Sequence, residues 1–146
     1  MFDPQAYGPE IAAILARESD RTAGDLIKAA NLTPLLRAGL YLYCDCWTEA
    51  HETAQDINTP DGSYWHAIVH RLEPDPGNAA YWYRQVGTHP IFPALRTRAA
   101  EIGLPVGARW DPFAFIDYAT ASPDSQITRE VSRAEWQLLF AHCANL

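Results

Sequence analysis

Apolar residues recur with the period of an α-helix along most of this chain. In the segment PEIAAILARES, Ile11 and Leu15 fall on one face of a helix. The pair Thr33-Pro34 is a helix-start signal, and the following PLLRAGLYLYC is apolar nearly all round, as in a helix at the centre of a bundle. Some strand-like alternation occurs only at 125–131. The pattern as a whole predicts an all-α fold.

Turn signals divide the chain into helices with short connections. The clusters at 58–62 and 74–77 each combine proline, aspartate and glycine, which end helices and favour turns. Further along, Ser132 and Glu135 fit a capping box that predicts the start of the last helix. We expect roughly six to eight helices, arranged as antiparallel hairpins in one compact domain over residues 1–146.

Two stretches in the middle of the chain look like copies of one another. LLRAGLYLYC is followed by TEAHETAQDI, and YWHAIVHRLE is followed by NAAYWYRQVG, with Gly39 and Ala67 at equivalent points. Small residues there allow the two helices of a hairpin to approach closely, so the pair resembles tetratricopeptide repeats. The segment NAAYWYRQVG also resembles the second helix of a Sel1-like repeat. Ordinary antiparallel helices with small residues at their crossings explain the pattern equally well.

The segment YWHAIVHRLEPDPGNAAYWYRQVGTHPIF is distinctive as a whole. It resembles the signature of a family of small bacterial proteins with a Tyr-Trp-His, His-Arg, Glu-Pro-Asp, Tyr-Trp and His-Pro pattern. The resemblance covers this segment alone and implies no activity. It indicates where functional residues should be sought.

The charge balance excludes several classes of partner. Lys and Arg number 11 against 18 Asp and Glu, for a net charge of −7. A nucleic-acid-binding domain usually carries the opposite balance, and an anionic membrane surface would repel this one. No apolar run is long enough for a membrane span, and MFDPQAYGPE lacks the basic start of a secretory signal.

The cysteine content points to a reducing compartment. The three cysteines, an odd number, are Cys44, Cys46 and Cys143, and we expect reduced thiols and a cytoplasmic location. Cys44 continues an apolar run and is expected to be buried and inert. Motifs of the G-x-S-x-G, Walker and G-x-G-x-x-G types are missing, so we expect no enzyme of those classes.

One predicted helix face carries groups that bind metals. His66, His70 and Glu73 recur at i, i+4 and i+7, and two histidines with a glutamate suit a divalent metal ion. His51 or His89 would complete the site if the neighbouring helices bring either one near. The alternative is structural: the same side chains pair with nearby arginines or backbone carbonyls.

This pattern differs from that of a zinc protease. In the H-E-x-x-H motif the residue after the first histidine is the glutamate that acts as general base, and here that residue is Ala67. The sequence therefore supplies metal ligands without an evident catalytic base.

The same segment contains groups suited to gripping an anion. Tyr64, Arg71, Tyr81 and Arg84 would lie on one hairpin, where arginine forks hold a peptide carboxylate or a small acidic ligand. Alternatively, these side chains form an internal polar network that fixes the hairpin.

Two functions follow as hypotheses. The first is a non-enzymatic interaction module for a protein, a peptide or a small acidic ligand, with no required cofactor. The second is a metal-binding protein or metal-dependent enzyme that uses His66, His70 and Glu73. The aromatic content also allows a homodimer interface.

Overall fold

The computed structural model describes all residues 1–146 and contains helices without strands. Two 3₁₀ turns, Pro4–Tyr7 and Arg21–Ala23, accompany nine α-helices. The α-helices are α1 Pro9–Leu15, α2 Gly24–Ala29, α3 Pro34–Tyr43, α4 Trp47–Gln55, α5 Pro60–Leu72, α6 Pro76–Val86, α7 Phe92–Ile102, α8 Pro112–Ala121 and α9 Gln126–Ala144. The predicted all-α single domain is confirmed, with nine α-helices where six to eight were expected.

Four of the nine α-helices, α3, α5, α6 and α8, begin where proline follows a capping side chain. Thr33 accepts a hydrogen bond from the Leu36 amide at the start of α3, and Thr59 does the same for Gly62 at the start of α5. Asp111 caps α8 by accepting from two successive amides. Each cap satisfies an amide that has no partner within the helix, while the proline that follows has no amide to satisfy.

The last helix begins earlier than the sequence predicts. Ser125, not Ser132, is its N-cap, because the Ser125 hydroxyl accepts from the Thr128 amide at 3.1 Å. The stretch with strand-like alternation is therefore the first turns of α9. Ser132 and Glu135 lie inside the helix, and Glu135 is fully buried rather than capping. Tertiary packing of α9 overrides the local capping signal.

Two hairpins, α3–α4 and α5–α6, form the middle of the molecule, with α4 packed against α5. Gly39 allows α3 to approach the Trp65 ring of α5 closely, because a Cβ atom at this position would lie 2.7 Å from that ring. The Trp136 indole N–H donates to the Gly39 carbonyl at 2.8 Å, which joins α9 to the same point. The likeness of these hairpins to tetratricopeptide repeats stays a prediction.

A buried polar network joins α5, α6 and α9. The Glu135 carboxylate accepts from the Tyr64 and Tyr83 hydroxyls at 2.7 and 3.2 Å. The Arg71 guanidinium donates to the Tyr83 hydroxyl at 2.6 Å and lies 2.7 Å from the second Glu135 oxygen. It also stacks on the Phe115 ring of α8 at 4.6 Å. Burying either charge without a partner of opposite sign costs free energy, so each of the two side chains requires the other in the interior.

We expect Glu135→Ala to destabilise the protein by about 3 to 5 kcal/mol, because the variant leaves the Arg71 charge buried without its partner. Urea unfolding of both proteins measures the difference. The matched control is Glu18→Ala, which breaks the solvent-exposed ion pair between Glu18 and Arg133 and should cost at most about 1 kcal/mol. Equal losses in the two variants would contradict the assigned role of Glu135.

Candidate metal centre

Helices α4 and α5 bring three imidazoles together. His51 lies on α4, and His66 and His70 share one face of α5 because they are four residues apart. One ring nitrogen from each histidine lies within 4.8 Å of the other two. The ring of His51 meets those of His66 and His70 edge-on, with centroids 4.6 and 5.2 Å away. Three nitrogen donors from two helices thus lie close together.

The environment of His66 fixes its ring and leaves one nitrogen unused. The side chain is 3% exposed and stacks on the Trp82 indole of α6, with ring centroids 3.9 Å apart. Its Nδ1 atom is buried and has no hydrogen-bond partner within the protein. A buried polar atom without a partner costs free energy, and a bound ligand would remove that cost.

Glu73 lies beside the cluster rather than in it. One of its oxygens is 3.4 Å from His70 Nδ1, and its side chain is 41% exposed. A carboxylate behind a histidine ligand orients the ring and raises its basicity. Of the residues predicted from the sequence, His66 and His70 therefore lie close together, and His51 supplies the third donor. Glu73 contacts His70 but is not one of the three grouped residues.

Burial favours the neutral form of His66 and His70. Burial, together with the nearby rings of His51 and His70, lowers the pKa of His66 from 6.5 to about 4. Burial also lowers the pKa of His70, against the opposing effect of Glu73. At neutral pH both rings are therefore deprotonated, which is the form that coordinates a metal ion.

A second cluster consists of Asp61, His89 and His142. The hydrogen bonds of His89 determine which of its ring nitrogens carries the proton. The Ile91 amide donates to His89 Nδ1 at 3.2 Å, so the ring proton is on Nε2, which donates to Asp61 at 2.6 Å. A metal ion on Nε2 would leave that ring without either proton, which is unfavourable at neutral pH.

Both ring nitrogens of His89 in the second cluster therefore already have hydrogen-bond partners within the protein. His142 Nε2 also contacts the same Asp61 oxygen, at 3.2 Å. His89, one of the two histidines considered as an additional ligand, lies here and not with His66. Burial lowers its pKa although Asp61 acts in the opposite direction.

The four predicted anion-gripping residues do not share one surface. Tyr64 is fully buried and Arg71 is 7% exposed, both within the network around Glu135. Tyr81 is 47% exposed, and the Arg84 guanidinium lies 5.9 Å from its ring. Tyr64 and Arg71 are thus part of an internal polar network, as the alternative interpretation of the sequence predicted for them.

The cysteines take no part in the centre. All three are free and buried. Burial raises the pKa of Cys44 to about 12 and that of Cys46 to about 11. These thiols are protonated at neutral pH, so they are poor nucleophiles. The expectation that Cys44 is buried and inert is in agreement with this environment.

The sequence did not single out three residues that make important polar contacts in the structure. Asp61 and His142, which belong to the second cluster, carried no recognisable pattern. Glu135 was assigned to a capping box, although its position between Val131 and Leu139 places it on the buried face of a helix. That spacing was the available signal for Glu135.

No family model, curated protein or solved structure matches this chain. None of its helices has the length and apolar character required to cross a membrane.

Acidification should destabilise the metal-free protein through His66. Its pKa is 6.5 when unfolded and about 4 when folded, so in this window the unfolded chain binds more protons and stability falls as pH falls. One such group contributes at most about 1.4 kcal/mol per pH unit. Urea unfolding between pH 7 and pH 4.5 should show a shallower decline for His66→Phe than for the natural sequence. Parallel curves would show that His66 does not titrate in this way.

Proposed function

We propose that this protein binds one divalent transition-metal ion through His51, His66 and His70. The observation that carries the proposal is the close approach of three imidazoles, one of which, His66, is buried and has an Nδ1 atom without a partner. Imidazole nitrogen suits zinc, copper, nickel and iron, whereas magnesium and calcium prefer oxygen.

The surroundings support metal binding in three ways. His66 and His70 have lowered pKa values, so no proton must be displaced from either ring at neutral pH. Trp82 stacks on His66 and Glu73 contacts His70, which restricts the orientation of both rings. The donors come from two packed helices rather than from a loop, and rigid elements hold ligand geometry better.

Three protein ligands would leave a fourth position of a tetrahedral ion for water or another small ligand. That arrangement is also found in catalytic zinc sites. Catalysis is not proposed, because Glu73, the carboxylate that contacts the cluster, is engaged with His70, and Ala67 occupies the position of the zinc-protease base.

The interaction-module hypothesis stays a prediction, and fewer of its predicted binding residues are exposed than the sequence indicated. Tyr81 and Arg84 remain exposed on α6, but Tyr64 and Arg71 are enclosed by the network around Glu135. An acidic peptide would therefore meet two of the four predicted residues. The three-histidine cluster has the more specific geometry and is the better supported function.

Isothermal titration of metal-free, untagged protein with zinc chloride tests the proposal. We expect one equivalent to bind the natural sequence, and both His66→Phe and His51→Ala to abolish that event. Glu73→Gln should weaken binding by about 10- to 100-fold, as the loss of a group supporting a ligand does. Circular dichroism verifies that each variant is folded.

The matched control is His142→Gln, which alters the second cluster and leaves the three proposed ligands in place. Its zinc affinity should equal that of the natural sequence. Loss of binding in His142→Gln with retention in His51→Ala would assign the ion to the other cluster, and the absence of stoichiometric binding would reject the proposal.

A further inference from the structure

A cleft of about 590 Å³ lies on a different part of the molecule, between the α6–α7 connection and the segment that leads into α8. Phe92, Pro93, Arg96, Arg109, Trp110 and Phe113 are among the residues that line it. The volume is in the range of roughly 300 to 1,000 Å³ typical of small-molecule sites. None of the three proposed metal ligands borders the cleft, so it goes beyond the metal-binding function.

Aromatic side chains form much of the wall. Phe92 and Trp110 are 8% and 6% exposed, and their rings contribute to the core as well as to the cleft. Phe113, on the first turn of α8, is 39% exposed. A large ring held in water at the edge of a cleft gains stability when an apolar group covers it.

Two arginines give the cleft a local positive charge within an acidic protein of net charge −7. Arg96 Nε donates to the Gly107 carbonyl at 2.9 Å, which holds the guanidinium in place. Arg109 is exposed and takes part in none of the molecule's ion pairs. The one carboxylate of the cleft, Asp111, is engaged as the N-cap of α8 through the Phe113 and Ala114 amides.

Trp110 supplies the observation that points to a ligand. Its indole Nε1 is a buried donor without an acceptor in the protein, although such groups are nearly always satisfied in folded proteins. Because this nitrogen is fully covered in the free protein, a small shift of the ring on binding brings it within reach of an acceptor on the bound molecule. The same molecule would need negative charge for Arg109 and an apolar body for Phe92 and Phe113.

We infer that this cleft binds a small organic acid with one carboxylate and an apolar body. The carboxylate accepts hydrogen bonds from Arg109 and the Trp110 indole, with Arg96 adding positive charge. The apolar body packs against Phe92 and Phe113. Charge-assisted hydrogen bonds to a carboxylate are stronger than neutral ones, so the acid binds more tightly than its uncharged amide.

Isothermal titration of the full-length, metal-free protein with benzoate, phenylacetate and hexanoate tests this inference. At least one acid should bind with one-to-one stoichiometry, and the matching amide should bind at least about tenfold more weakly, because it lacks the charge that strengthens these hydrogen bonds. Inorganic phosphate should bind more weakly than the acid, because it has no apolar body.

Two variants and a control locate the site. Arg109→Gln should weaken binding by about tenfold or more, and Trp110→Phe, which keeps an aromatic ring but removes the indole N–H, should also weaken it. Arg98→Gln is the control, since Arg98 lies on α7, as Arg96 does, but outside the cleft. It should leave the affinity unchanged.

Several results would overturn the inference. They are binding of none of the three acids, equal affinity for acid and amide, equal affinity for phosphate, or an Arg98→Gln loss as large as that of Arg109→Gln. Because the titration uses metal-free protein, its failure leaves the zinc result untouched, and failure of zinc binding leaves this result untouched.

Discussion

The architecture depends on one buried ion pair, between Arg71 of α5 and Glu135 of α9. Glu135 also receives the hydroxyls of Tyr64 and Tyr83, so a single carboxylate joins three helices. Neither charge is stable in the interior without the other, and the pair therefore specifies how α5 and α9 face each other. The position of α5 in turn decides where its histidines lie.

Helix α5 has two chemically different faces. Tyr64 and Arg71, seven residues apart, project toward α9, while His66 and His70, four residues apart, project toward His51 of α4. The first face is closed by the ion pair and its hydroxyls. The second face carries the two imidazoles, and His66 retains an unpartnered nitrogen. One helix thus supplies both the structural anchor and the candidate metal centre.

Local signals in the sequence were sufficient for the all-helical fold and for part of the site. Proline after a capping side chain located the start of α3, and helical spacing placed His66 and His70 on one face. The third ligand required knowledge of how α4 packs on α5, which no local pattern contains. Glu135 was misassigned because a capping box is a local pattern, whereas burial of the residue depends on contacts with distant helices.

The central claim is that His51, His66 and His70 hold one metal ion. It is tested most directly by a crystal structure of the zinc-loaded protein, with anomalous difference maps recorded on both sides of the zinc absorption edge. We expect one strong peak between these three imidazoles, at roughly 2.0 to 2.1 Å from a nitrogen of each. A peak at Asp61, His89 and His142, or no ordered zinc among the three imidazoles, would contradict it.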